Sequence, residues 1–174
     1  MPVAAAGFLA AGCGGGNDET PSAVDWANSV CQAVSTWTSS IASIGQTVQQ
    51  NPTQESLKRA GDDVKSATET FSDDLKSAGT PETESGSQAK DAVDQLASNL
   101  DDGLQKIETA IEDGSGSGVS GALAAVTTVS STLATMNNQV VATVQQLEQI
   151  DAQGELRDAF GQADACAGVT STGS

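Results

Sequence analysis

Three cysteines, at positions 13, 31 and 166, are the side chains in this sequence best suited to covalent chemistry. Three is an odd number, so one thiol stays outside any internal pair. Catalysis by thiolate is not expected. The chain has no C-x-x-C motif and no His to act as the base that activates a cysteine. With Cys13 used elsewhere, Cys31 and Cys166 are the candidates for a disulfide, which an oxidising compartment would keep closed.

Other chemistry is scarce. The absence of His and Tyr removes the commonest general base, the commonest zinc ligand and the Ser-His pair. Phosphate-loop and dinucleotide fingerprints are also missing. Carboxylates stand side by side at Asp62-Asp63, Asp73-Asp74 and Asp101-Asp102. Neighbours one apart on a helix point to different sides, so these pairs read as a solvated acidic face. The run Asp113-Gly114-Ser115-Gly116-Ser117-Gly118 lacks the carboxylates of a calcium loop, whose twelfth position would fall on Ala124. Di-metal bundles need Glu-x-x-His motifs, which a chain without His cannot hold. Met136 is the one thioether inside the domain, too few for copper. No cofactor, no metal site and no enzymatic activity are expected.

The elements that would position any site are helices. Ala27, Val30, Val34, Trp37, Ile41, Ile44 and Val48 alternate steps of three and four, a heptad seam. Thr20-Pro21 is expected to open this first helix, as cap and first turn. Asn51-Pro52 closes it and starts a second, with Gln54 reaching back to cap Asn51. The second helix aligns Leu57, Ala60, Val64, Ala67, Phe71, Leu75 and Ala78, and ends at Gly79. Thr80-Pro81 is expected to start the third, which carries Ala89, Val93, Leu96, Leu100, Leu104, Ile107 and Ile111 and is capped by Gly114. Beyond the Ser115–Gly118 linker, a fourth helix presents Val119, Leu123, Val126, Val129, Leu133, Met136, Val140, Val144 and Leu147. A short amphipathic piece with Leu156, Ala159 and Phe160 follows Gly154.

Short connections place sequential helices antiparallel. The expected fold is all-α: an up-down-up-down four-helix bundle over residues 21–168, closed by a short C-terminal helix. A pair of extended antiparallel coiled-coil hairpins is the alternative. In the up-down bundle Cys31 and Cys166 fall at the same end, with Trp26 and Phe160 as apolar neighbours. Val, Ile, Leu and Phe total 32 of 174 residues, low enough to suggest disorder by composition. The regular periodicity outweighs that, and a thin, Ala-rich core follows. Residues 169–174 carry nothing to anchor them.

Residues 3–12 form a short apolar run ending in small residues, too short to span a bilayer as a helix. It reads as the end of a signal peptide. Leu9-Ala10-Ala11-Gly12-Cys13 resembles the lipobox of bacterial lipoproteins. That resemblance implies that Cys13 receives a diacylglycerol and becomes the first residue after cleavage, with residues 1–12 removed. Ala10 stands where the family usually has Leu, and no Lys or Arg precedes the run; a translation start upstream of Met1 would supply the basic residues. Residues 13–20 are Gly-rich and read as a flexible tether. The expected location is extracytoplasmic, on the bacterial cell membrane.

Net charge is −16, from 23 acidic and 7 basic residues. Such a surface does not bind nucleic acid, which needs basic groups to displace counterions. The charge is segregated. Residues 51–114 hold 15 acidic and 6 basic side chains, whereas 26–50 and 119–147 hold none. The first and fourth helices would therefore form an uncharged wall, and depletion of charge marks interface centres. Ser35, Thr38, Gln46, Thr128, Thr135 and Gln139 lie off the apolar seams and are the expected partner-contacting residues. The expected function is a non-catalytic binding or scaffolding lipoprotein whose partner is another envelope protein, wall polymer or a second copy. The alternative is a carrier holding a small apolar ligand between its helices.

Overall fold

The computed structural model describes residues 21–51, 53–115, 117–150 and 154–167. Among them are five α-helices and one 3-10 turn, and no strand. They are α1 (Ala23–Gln50), α2 (Gln54–Ala78), α3 (Gly86–Ser115), α4 (Gly118–Ile150) and α5 (Glu155–Gln162), followed by the turn Asp164–Cys166. The expected signal segment (residues 1–12), Cys13, the expected tether, Thr20 and residues 168–174 lie outside the described residues.

Capping chemistry moves three helix starts. Ser22 caps α1, its hydroxyl accepting the Asp25 N–H at 3.2 Å. Pro21 thus precedes the helix. Thr53 caps α2 by accepting the Ser56 N–H at 3.2 Å. Asn51, expected to cap α2, instead ends α1, its N–H bonded to the Thr47 carbonyl. Gln54 does not reach back; its side-chain amide donates to the Ser115 carbonyl across the molecule. α3 starts at Gly86 rather than at Thr80-Pro81. The intervening residues turn beneath the start of α1, where the Glu82 N–H donates to the Pro21 carbonyl at 3.1 Å. Gly79 ends α2 as expected, at φ +71°.

Most of the predicted seams are interior. On α1, Ala27, Val30, Val34, Trp37 and Val48 are buried, and so are six of the seven positions on α2 and six of the seven on α3. Ile41, Ile44, Ala67 and Ile111 are half-buried. The seam on α4 fails at its start: Val119 is 79 % and Leu123 63 % exposed, while Val129, Met136, Val140, Val144 and Leu147 are buried. A smaller core of Val48, Leu57 and Ala60 lies at this end, and from α4 only Ala122 and Val126 pack on it, both half-buried.

Cross-helix contacts fix directions. Trp26 Nε1 donates to the Gly79 carbonyl and Trp37 Nε1 to the Thr68 hydroxyl, both at 3.1 Å, so α1 and α2 run antiparallel. Lys65 Nζ meets Glu108 at 3.1 Å, pairing α2 with α3. Gly103 faces Met136 and Gly114 faces Ala125, pairing α3 with α4. The α1/α2 and α3/α4 pairs are the most extensive. α1 and α4 meet directly over a short stretch only, and α5 packs against both. Gly114 is a close-approach residue rather than a left-handed cap; a Cβ there would lie 2.7 Å from that of Ala125 and 2.9 Å from the Gly121 carbonyl oxygen.

The base is tied covalently. Cys31 and Cys166 form a disulfide, with Cα atoms 5.0 Å apart and 135 residues between them in sequence. Trp26 and Phe160 pack edge to face beside it, ring centroids 6.0 Å apart.

Candidate interaction surface

Helical spacing and charge build the uncharged faces. α1 carries one charged residue, Asp25, in its first turn; α4 carries Glu148 near its end. Each buries one stripe and leaves the rest to solvent. Ser35, Thr38 and Gln46 are exposed on α1; Thr128 and Thr135 are exposed and Gln139 half-buried on α4.

The six residues do not form one surface. Thr128, Thr135 and Gln139, spaced seven and four apart, share one face of α4. Thr128 lines a groove of about 720 Å3 between α3 and α4, together with Asp102, Lys106 and Asp113. That face belongs with the charged helix α3, not with α1. The face of α4 that keeps free of charge carries other residues. Leu123, Thr127, Ser130, Ala134, Asn137 and Val141 follow steps of 4, 3, 4, 3 and 4, a second heptad stripe. Leu123, Thr127, Ser130 and Ala134 are exposed; Asn137 and Val141 are half-buried. One apolar seam per helix is enough to define the core, so this second stripe is not part of the core pattern in the sequence. Counting the same template again from Leu123 would have found it.

Four hydroxyls on α4 are already engaged. Thr127 donates to the Leu123 carbonyl at 3.1 Å, Thr128 to Ala124 at 3.1 Å, Ser131 to Thr128 at 3.0 Å and Thr135 to Ser131 at 2.9 Å. A hydroxyl bonded to its own helix turns its donor away from water. On the stripe this holds for Thr127, whose hydroxyl is already bonded within the helix.

Grooves elsewhere are shallow and partly polar. One of about 550 Å3 between α1 and α2 is lined by Ser40, Ser43, Thr70, Asp63 and Asp74 above the buried rings of Trp37 and Phe71. Such open grooves differ from the enclosing pockets that hold small hydrophobic ligands. Among the described residues no three His, Cys, Asp or Glu side chains converge as metal ligands. α4 is long and apolar enough by composition to cross a membrane. Its inward stripe, from Val129 to Leu147, is nevertheless part of the core. The hydrogen bond from Lys65 to Glu108, then the Glu108 charge, raises the pKa of Lys65.

Compared with protein-family models, curated proteins and solved structures, the chain matches none of them.

Proposed function

We propose that this chain is a membrane-anchored extracytoplasmic lipoprotein whose helical domain is a non-catalytic interaction module. The four long helices form an up-down-up-down bundle, a reading supported by the antiparallel α1/α2 and α3/α4 pairs and by the α2/α3 contacts of Gly61 with Ile111 and Lys65 with Glu108. Export is supported by the Cys31–Cys166 bond, since such bonds persist outside the reducing cytoplasm. Anchoring rests on the lipobox-like segment ending at Cys13. Two acyl chains on that cysteine would hold the protein stably on a bilayer.

The observation that carries the function is the exposed, uncharged face of α4, in a protein whose α2 and α3 carry most of its carboxylates. The grooves are open to solvent rather than enclosed, which favours an interaction module over a carrier of apolar ligands. The partner-contacting residues are Leu123, Thr127, Ser130 and Ala134, flanked on α1 by Ser35, Thr38 and Gln46.

Site-specific photocrosslinking in intact cells tests this. A probe at Thr38 or Ser130 is expected to yield discrete adducts that a probe at Asp91 or Gln105, on α3, does not. Adducts arising only from the α3 positions would assign the working surface to the acidic side. Mass spectrometry of the same membrane-extracted chain is expected to show residues 1–12 lost and lipid on Cys13.

A further inference from the structure

We infer that the occupant of the α4 stripe is a second copy of this chain, packed in parallel across a two-fold axis. This deepens the proposed function and rests on it for the surface. Three observations select this partner.

The first is charge. Each copy carries −16, and α2 and α3 together hold most of the carboxylates. Two copies brought together through α2 or α3 would juxtapose like charges, which is costly. The uncharged faces of α1 and α4 are where two copies can meet without that cost. A second copy brings a matching uncharged face of the same length.

The second is the stripe itself. Leu123, Thr127, Ser130, Ala134, Asn137 and Val141 keep heptad spacing on the outside of a helix whose inward seam is already buried from Val129 to Leu147. A two-fold contact places each of these beside its own counterpart. Small residues at 127, 130 and 134 allow close helix approach, and a single Asn in such a seam favours parallel register by pairing with itself. Val119 and Leu123, the large apolar side chains most exposed in the structure, fall at one end and would cover each other. Two copies tethered at their N-termini to one membrane also stand parallel.

The third is size. Residues 119–141 extend for about 34 Å along the helix. At one helix diameter of about 10 Å the stripe covers about 340 Å2 per copy, and the adjoining exposed side of α1 widens the face where the two helices meet. A standard stable interface needs roughly 800 Å2 per partner, so the contact is a reversible one. A bilayer is the less suitable occupant: between Leu123 and Val141 the stripe offers hydroxyls, Ala and Asn, with no Trp, Lys or Arg to seat it at a lipid interface.

The test uses the full chain carrying Cys13→Ser, which leaves the disulfide as its only cysteines and needs no detergent. Its result is therefore independent of whether Cys13 is lipidated. Sedimentation equilibrium is expected to show a monomer–dimer equilibrium that tightens with added salt as long-range repulsion is screened. L123E with A134E is expected to weaken dimerisation at least ten-fold. Gln88→Glu with Ser98→Glu, which adds the same charge to exposed positions of α3, is expected to change it less than three-fold. Leu123→Cys is expected to crosslink to itself under mild oxidation, and Gln88→Cys to remain monomeric. A chain monomeric at several hundred micromolar overturns the inference, as does a dimer indifferent to L123E with A134E. Flotation of the monomeric chain with zwitterionic vesicles, lost in L123E, would assign the stripe to lipid instead and equally overturn it.

Discussion

At the scale of single residues, the glycines separate close approach from convenience. Gly114 and Gly121 lie where α3 turns into α4. A Cβ on Gly114 would meet the Ala125 Cβ at 2.7 Å and the Gly121 carbonyl at 2.9 Å, and neither can move without its backbone. Gly114→Ala is expected to destabilise by about 1–3 kcal/mol, the range for overpacking a fixed site. Gly45, mid-helix in α1, has nothing within 4 Å of its would-be Cβ. Gly45→Ala should stabilise by about 0.5–1 kcal/mol, because alanine loses less backbone freedom on folding. Urea midpoints of the two variants should move in opposite directions; a shared direction would contradict the packing described. The Trp37 indole gives a third test. Its N–H is buried and donates to the Thr68 hydroxyl at 3.1 Å, and Thr68 is itself fully buried. Thr68→Val keeps the shape but strands the donor, at a cost of about 1–3 kcal/mol. Thr68→Ser, which keeps the oxygen, should lose less in the same titration. An equal loss in both would mean that the methyl, not the hydrogen bond, is what matters at this position.

At the scale of elements, α5 depends on its covalent tie. Eight residues are too few for a stable isolated helix. Leu156, Ala159 and Phe160 are buried against α1 and α4, and Cys166 joins the chain to Cys31. Cross-linking across 135 residues stabilises by at most about 4 to 5 kcal/mol in the chain-entropy picture. A Cys31→Ser, Cys166→Ser double variant is therefore expected to melt about 5–15 °C lower, given about 2–4 °C per kcal/mol at this chain length. Amide exchange should show α5 opening first; protection in α5 as strong as in α2 would contradict its dependence on the bond. The number of elements, the disulfide and the Trp26–Phe160 contact were readable from spacing and cysteine position. Their ends were not. Thr20, Asn51 and Thr80 each precede a proline and look like caps, but Ser22 and Thr53 supply the oxygens at the first two sites. At the third, the backbone turns under Pro21 before α3 begins. Val119 and Leu123 fit the α4 period yet lie exposed, because periodicity states which residues share a face and not whether another helix covers it. For the same reason Thr128, Thr135 and Gln139 were grouped with α1, although Thr128 faces the groove beside α3.

At the scale of the whole molecule, the question is whether ion pairs or self-repulsion governs electrostatic stability. Four ion pairs are formed among the described residues, each between side chains that remain roughly half or more exposed. Exposed pairs contribute little and weaken with salt. Lys65–Glu108 is the one that links two helices. Because its pKa is raised by Glu108, its small contribution is present below the usual lysine range and is lost as pH rises through the elevated folded value. Against these pairs stands an excess of nine carboxylates over basic groups between residues 51 and 114. Folding brings those charges together on two neighbouring helices, whereas the unfolded chain spreads them apart. The Debye length falls from about 30 Å at 0.01 M salt to about 8 Å at 0.15 M, which screens repulsion across the α2–α3 face while leaving contact pairs less affected. Stability is therefore expected to rise with sodium chloride, by several degrees in melting temperature between 0.01 and 0.3 M. The rise should persist in the L123E, A134E variant, which separates screening within one copy from dimerisation. A melting temperature that falls with salt would show that the ion pairs outweigh the repulsion. A rise confined to the chain that can dimerise would place the electrostatic cost between copies rather than within one.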